Sequence, residues 1–388
     1  MNIVILHRIP FARVRYDMAI DHEEHTVRYL GAAGGFDGVP TPSEHRVLEG
    51  PTSDTRALAK QHADWLGEAD RLIARSEYDL LPAALLREEF GIPGDLPDAV
   101  LPVRDKWLMR TLAADAGVPQ PSFWSAEEFR RDAPGEGTYL VKPRLEASSS
   151  GIELGGTERI LAVLDGVEDP EGVFVEEFVP GEIWHLDGYV QSGEFGPVVC
   201  SAYVGDCLSF AFGSPLGSAQ RPDEPGALSL LRRTLAALGQ SDGCFHFEAI
   251  RAQDGRFLFL ETASRVGGAG VADTFELRTG INLYQADLRH QLGGLPPDSL
   301  PELSSDYYGW FVYPAHHSAE RTVLDFDPAL YAGRLRSFIQ NASPASRPGQ
   351  ITYATGATPL SGIAQGTATG VRTTLEEIFA RTAVLEQR

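Results

Sequence analysis

The sequence predicts an α/β front, an α+β middle and a small α+β tail. Three observations carry this. A short apolar run at residues 3–6 is followed by helical sequence around 55–69 and a second short run at 71–74, the rhythm of an α/β unit. From about residue 138 the pattern turns to short β-type runs with tight turns between them. Pro and Gly clusters around 294–301 and 344–349 bound what remains.

Each element has a local reason. Gly91, Pro93, Gly94 and Pro97 punctuate the end of the first α/β unit. Asp105 opens a helix in which Trp107, Leu108, Leu112 and Ala116 keep a helical period, and Gly117 followed by Pro119 closes it. Segments 138–143 and 172–179 read as strands. Segments 183–190 and 195–204 read as a hairpin turning near Ser192-Gly193, and 228–238 as an amphipathic helix. Segments 244–250 and 256–263 flank Asp254-Gly255, the strongest short hairpin signal in the chain. The tail is expected to hold strands at 310–313 and 350–355 and a last helix near 374–385.

Composition narrows the function. At 388 residues the chain has room for two to three domains, and 43% hydrophobic with 22% charged residues is an ordinary globular balance. Its 54 acidic and 33 basic side chains give a net charge of −21. Duplex nucleic acids and anionic membranes both need basic surfaces, so neither is an expected partner. No apolar stretch is long enough to span a bilayer, and the start lacks a basic leader. Cys200, Cys207 and Cys244 form no framework or C-x-x-C motif. A cytoplasmic protein is expected.

The second hairpin carries the chemistry. Taken as a two-residue turn, it makes Gln253 face Arg256, and therefore Glu248 face Glu261. Two carboxylates that close repel, and a divalent cation between them resolves the conflict. Alternation adds Ala263 and Arg265 to the face of Glu261, with His246 opposite Ala263, while Phe245, Phe247, Phe257 and Phe259 bury the other face. Gly267-Gly268 follows at once. A solvated hairpin is the plain reading of such a face; the upstream signals favour a site.

Lys106 lies in the first turn of its helix, and Lys142 ends a strand before the small-residue loop Ser148-Ser149-Ser150-Gly151. Backbone N–H groups and hydroxyls of such a loop can cover phosphate oxygens, with lysine supplying charge. Glu176, with the backbone of Glu177 and Val179, and then Glu182 could serve an adenine and a ribose.

In this order the motifs resemble the ATP-grasp superfamily, in particular its carboxylate–amine ligases. The matching elements are Asp105-Lys106, Lys142 with the 148–151 loop, Glu176 to Val179 with Glu182, Glu248, and Glu261-x-x-x-Arg265-x-Gly267-Gly268, over residues 70–290 or so. The resemblance implies an N-terminal preATP-grasp α/β domain (1–100), a two-part ATP-grasp module (101–181 and 182–300) and a C-terminal α+β subdomain (301–388). It further implies that Lys106 and Lys142 contact ATP phosphates under the loop. Glu176 and Glu182 would hold adenine and ribose, and Glu248 and Glu261 would bind Mg²⁺, with Mn²⁺ as the alternative ion. Arg265 would steady the transferring phosphoryl group. The implied activity is ATP-dependent joining of a small carboxylate, such as an amino acid, to an amine. One departure stands out: the family usually has Asn two residues after the second metal Glu, and here that residue is Ala263. His246, opposite it, is a candidate to act behind the metal or in place of the missing ligand.

For substrate, Arg265 and the backbone from Gly267 to Gly270 could hold a carboxylate. His185 and Asp187 could point toward the pocket, whereas Trp184 is expected to be structural. Tyr307, Tyr308, Trp310, His316 and His317 enrich the tail, and the histidine pair reads as exposed. Two other activities remain open: a carboxylate–thiol ligase loading a carrier protein, and an ATP-binding regulator without turnover. A homodimer is also left open. His22-Glu23-Glu24-His25 is one residue short of a zinc H-E-x-x-H, and Gly31 to Gly35 lacks the dinucleotide fingerprint. There is no G-x-S-x-G elbow.

Overall fold

The computed structural model describes residues 1–294, 302–314, 316, 322–341, 353 and 358–386. Four strands open the chain: β1 (Asn2–His7), β2 (Thr26–Gly31), β3 (Glu44–Val47) and β4 (Arg71–Ala74). They form a parallel sheet in the order β3-β2-β1-β4. Alternate residues of β1 enter different cores, which is why it reads as an unbroken apolar run. Val4 and Leu6 meet Leu58, Trp65, Leu66 and Leu86 from the helices Thr55–Gln61, Ala63–Gly67 and Glu77–Phe90. Ile3 and Ile5 face the other way, toward Tyr16, Tyr29, Phe275, Leu283 and Leu288. Their core therefore runs on into the helices Val271–Thr279 and Leu283–Gln291, two helices the sequence reading did not place.

Polar contacts lock this junction. Gln285 Nε2 donates to the carbonyls of Val14 and Arg15 at 3.0 and 2.9 Å. Arg75, just after β4, forms a buried ion pair with Asp287.

The helix Lys106–Asp115 is capped as expected. The Asp105 carboxylate accepts from the N–H groups of Trp107 and Leu108 at 3.0 and 3.2 Å. At the other end Gly117 has φ +66°, and Val118 and Gly117 donate back to Ala113 and Ala114, the paired bonds that finish a helix on a left-handed residue.

Next come β5 (Phe123–Ser125), β6 (Thr138–Pro143), β7 (Glu153–Gly156) and β8 (Val173–Glu177), an antiparallel sheet in the order β5-β8-β6-β7. The sequence signalled β6 and β8; β5 and β7, at three and four residues, are too short to show a period.

The remaining strands are β9 (Gly181–Gln191), β10 (Glu194–Val204), β11 (Leu216–Gln220), β12 (Gly243–Ala252), β13 (Phe257–Ala263), β14 (Tyr307–Val312), β15 (Thr322–Asp325), β16 (Leu335–Gln340), β17 (Leu360–Gly366) and β18 (Ala383–Glu386). Eight of them make an antiparallel sheet, β13-β12-β9-β10-β11-β14-β17-β16, while β15 and β18 pair separately. Three tail strands thus extend the central sheet. One face packs on the helices Pro225–Ala237 and Ala368–Arg381, through Trp184, Leu186, Phe247 and Leu231 and through Phe311, Leu375 and Ile378. The last helix begins earlier than expected, behind Thr367 as its cap, and stops at Arg381. The expected strand at 350–355, His317 and most of the two Pro/Gly clusters lie outside the described residues.

The β12–β13 hairpin corrects one expectation and explains another. Its loop has three residues, Gln253-Asp254-Gly255. Ala252 N donates to Arg256 O at 2.9 Å, and Gly255 takes φ +84°, so Gln253 does not face Arg256. Near the turn Ala249 pairs with Phe259, yet Glu248 pairs with Glu261. Leu260 is the extra residue of a β-bulge, and it restores the expected Glu248–Glu261 and His246–Ala263 pairs. It also separates faces that strict alternation would merge. Phe257 and Phe259 enter the core, whereas Glu261, two residues on, lines the cleft.

Two outcomes are expected. Asp287→Asn leaves Arg75 buried and unpaired, which costs about 3 kcal/mol in urea unfolding. His7, buried at the end of β1 with Nε2 at 2.9 Å from the Gly35 carbonyl, has its pKa lowered from 6.5 by burial, against that backbone bond. The unfolded chain binds this proton more readily, so stability is full above 6.5 and falls as the pH drops below it. His7→Phe should flatten that part of a thermal-melting profile between pH 5 and 7.

Candidate nucleotide and metal site

The β5-β8-β6-β7 sheet and the face of the eight-stranded sheet opposite the helix Pro225–Ala237 enclose a cleft of about 440 Å³. Its polar lining includes Lys106, Lys142, Ser148 to Ser150, Glu177, Glu248 and Glu261. These residues are spread over 155 positions of sequence yet meet in one cavity. Leu140, Leu154, Phe178, Ile183, Ile250 and Leu260 give it an apolar slot between the sheets.

Lys142, at the end of β6, is buried, and its ammonium donates to Glu176 Oε1 at 2.6 Å. Glu176 on β8 is 1% exposed, and its second oxygen accepts from Arg110 of the Lys106–Asp115 helix. Both oxygens of Glu176, which itself lines the cleft, thus already have a cation partner, and they fix Lys142 at the cleft wall. The backbone of Glu177 and Val179 remains beside the apolar slot.

Lys106 Nζ donates to the Glu146 carbonyl at 2.6 Å and lies 3.4 Å from Glu261. The loop bends sharply here: Ser148 and Ser149 have φ +57° and Gly151 has φ +69°. Ser148 to Ser150 line the cleft. Gly151 instead lies against Pro143, which a Cβ would meet at 2.9 Å.

Glu182 is not brought to the cleft. It alternates on β9 with Gly181 and Ile183, which line the cavity, so its carboxylate turns to the opposite face. There it accepts from Trp184 Nε1 at 2.7 Å and pairs with Arg221 at 2.9 Å and with Arg372. The ribose role drawn from the resemblance does not fit this placement. Trp184 is buried core, as expected.

The two metal-type carboxylates do converge. Glu248 Oε1 accepts from the Tyr203 hydroxyl at 2.7 Å. Burial alone would raise the Glu261 pKa, but Lys106 and Lys142 more than offset this and hold it below the usual carboxylate range. A carboxylate pair of this kind fits a hard divalent cation.

Behind Glu248 lie His185 and Asp187 of β9 and His246 of β12, all buried. Asp187 accepts from His185 Nδ1 at 2.5 Å and from His246 Nδ1 at 2.7 Å. Burial would raise the Asp187 pKa, but the two imidazoles bring it well below its ordinary value. Burial pushes His246 down, yet Asp187 and Glu248 together lift it to about 10. His246 does face Ala263 across the strands, as expected.

Arg265, placed by resemblance at the phosphoryl group, is held from the N-terminal side. Its Nε donates to Glu77 at 2.6 Å, and Arg104 lies 3.5 Å from the same carboxylate. Gly267 packs so closely on the histidine cluster that a Cβ would lie 2.8 Å from both Asp187 Oδ1 and His246 Nδ1. No such contact crowds Gly268. His316 is buried rather than exposed, with Nε2 near the Ala211 carbonyl at 3.3 Å.

Sequence reasoning missed Glu77, Arg110, Tyr203 and Ser218. None has a local signature, because each acts on a partner at least 33 residues away.

A parallel N-terminal sheet beside two antiparallel sheets that grip a cleft of lysines and carboxylates is the ATP-grasp fold. No protein-family model matches the sequence. The L-arginine-specific L-amino acid ligase of Bacillus subtilis is 24% identical over 279 residues, covering 68% of this chain and 66% of that protein, just under two thirds of its length. The L-amino acid ligase from Bacillus licheniformis superposes with a TM-score of 0.77 at 16% identity, over 100% of this chain and 98% of that one. Carboxyaminoimidazole ribonucleotide synthase from Aspergillus clavatus, solved with ATP, gives a TM-score of 0.68 at 14% identity over 98% of each chain. The chain thus shares the fold of these solved structures and is similar in sequence to an L-amino acid ligase. Among the described residues no helix is long and apolar enough to cross a membrane.

Glu176→Gln removes the charge that two buried cations share. It should cost about 3 kcal/mol in urea unfolding. Calorimetry should also show weaker nucleotide binding, because Lys142 loses its anchor.

Proposed function

We propose that the protein is an ATP-dependent ligase that activates a small carboxylate, an amino acid, as an acyl-phosphate and joins it to an amine. The observation that carries this reading is the meeting of Lys106, Lys142, Glu248 and Glu261 in one cleft between two sheets. Phosphoryl transfer asks mainly for positioning and charge neutralisation, and this set can supply both. A substrate carboxylate oxygen attacks the γ-phosphorus of ATP, and the bond to ADP breaks. The amine nitrogen then attacks the acyl carbon, phosphate leaves, and the nitrogen sheds a proton.

In this reading the apolar slot takes adenine, with the backbone of Glu177 and Val179 as its hydrogen-bond partners. Lys106, Lys142 and the Ser148–Ser150 turn hold the phosphates. Arg265, fixed by Glu77, lies on the substrate side. Glu248 and Glu261 fit Mg²⁺, which when bound draws charge from the phosphate oxygens. Residues 101–181 then form the lid, 182–300 the catalytic part, and 1–100 and 301–388 the flanks. All three cysteines are free, which suits a reducing compartment, and we place the enzyme in the cytoplasm.

The test is phosphate release over pairs of amino acids, arginine included, with mass detection of the product. Tight ATP binding without turnover on any pair would count against a ligase. Glu261→Gln should lower the rate roughly 100-fold or more. Unchanged turnover in that variant would remove the metal assignment.

A further inference from the structure

We propose that Asp187 and His246 are positioning residues for the divalent-cation site, holding Glu248 so that one chosen oxygen faces the cleft. The proposal rests on Glu248 and Glu261 being the cation carboxylates.

A buried chain of polar groups, with members on β11, β9 and β12, spans four neighbouring strands of the large sheet. Ser218 Oγ on β11 is 2.6 Å from His185 Nε2, and His185 Nδ1 is 2.5 Å from Asp187 Oδ2. Asp187 Oδ1 is 2.7 Å from His246 Nδ1, and His246 Nε2 is 3.4 Å from Glu248 Oε1. Ionised Asp187 only accepts, so both Nδ1 atoms donate to it, and both rings are fixed in orientation. Pairing of Asp187 with His246 and of His185 with Glu248 across β9 and β12 sets the spacing.

The chain ends asymmetrically. Tyr203 and His246 both approach Glu248 Oε1, and among the described residues nothing hydrogen-bonds Oε2. One oxygen is tied back into the sheet and the other is left for the cleft. Two histidines and an aspartate could also suggest a transition-metal site. Here every ring nitrogen and both Asp187 oxygens already have partners, and Gly267 closes over the group. This is the arrangement of groups that support a metal ligand from behind, whose loss costs 10- to 100-fold in metal affinity as a rough rule.

The test measures Mn²⁺ binding to the full chain with ADP, by the electron paramagnetic resonance signal of free Mn²⁺. Asp187→Asn should weaken Mn²⁺ about 10-fold or more. Its ADP affinity without metal should not change, and phosphate release should recover at raised Mg²⁺. Two further variants keep the test decisive if Asp187→Asn folds poorly. His246→Gln can still reach Glu248, whereas His246→Asn can reach only Asp187, so Gln should retain more Mn²⁺ affinity than Asn. Equal, wild-type Mn²⁺ affinity in these variants, with only a lower melting temperature, would overturn the proposal. So would stoichiometric Zn²⁺ on the purified protein that is lost in His185→Ala. Wild-type Mn²⁺ affinity in Glu248→Gln would instead overturn the carboxylate assignment and, with it, this proposal.

Discussion

Glu248 and Glu261 face each other on neighbouring strands, and like charges so placed repel. Much of the cleft can be understood as a response to that repulsion. Lys106 stands 3.4 Å from Glu261, and the Tyr203 hydroxyl and the His246 ring stand beside Glu248. Each group is in turn held by others: Lys106 by the Glu146 carbonyl, His246 by Asp187, Lys142 by Glu176, and Glu176 by Arg110. A carboxylate pair that would burden an ordinary sheet becomes the centre of a network in which charge alternates in sign.

The large sheet keeps this network apart from the core around Phe247 by placing the two on opposite faces. Trp184, Leu186, Phe247 and Phe259 pack on helices, while His185, Asp187, His246 and Glu248 look the other way from the same strands. The N-terminal sheet and the helix Leu283–Gln291 share a continuous apolar core and a buried ion pair, so the wall behind Arg265 is anchored at several points.

The sequence made much of this legible where the chemistry is local. The Asp105 cap, the strand ending at Lys142 and the two hairpins follow from neighbours in the chain. What stayed hidden depends on distance in sequence. The Arg110–Glu176 bond joins residues 66 apart, and the Arg265–Glu77 bond joins residues 188 apart. Glu182 is a different case. Alternation along β9 already sets it apart from His185 and Asp187, so a motif match placed it where period two does not. The two-residue turn was also too simple. It led to the observed Glu248–Glu261 pairing because the longer loop and the bulge offset one another.

That bulge has a consequence for how the strand encodes its two faces. Phe257 and Phe259 are odd-numbered and point to the core; Glu261 and Ala263 are odd-numbered and belong to the cleft side. Leu260 acts as a half-period phase slip in the pattern. Upstream of it odd means oil, and downstream odd means ion. The strand can therefore spend its first residues building the core and its last ones building the site, without turning a corner or leaving the sheet. A chain one residue shorter at that point would keep its composition and its motifs, yet Glu261 would turn toward the aromatic side.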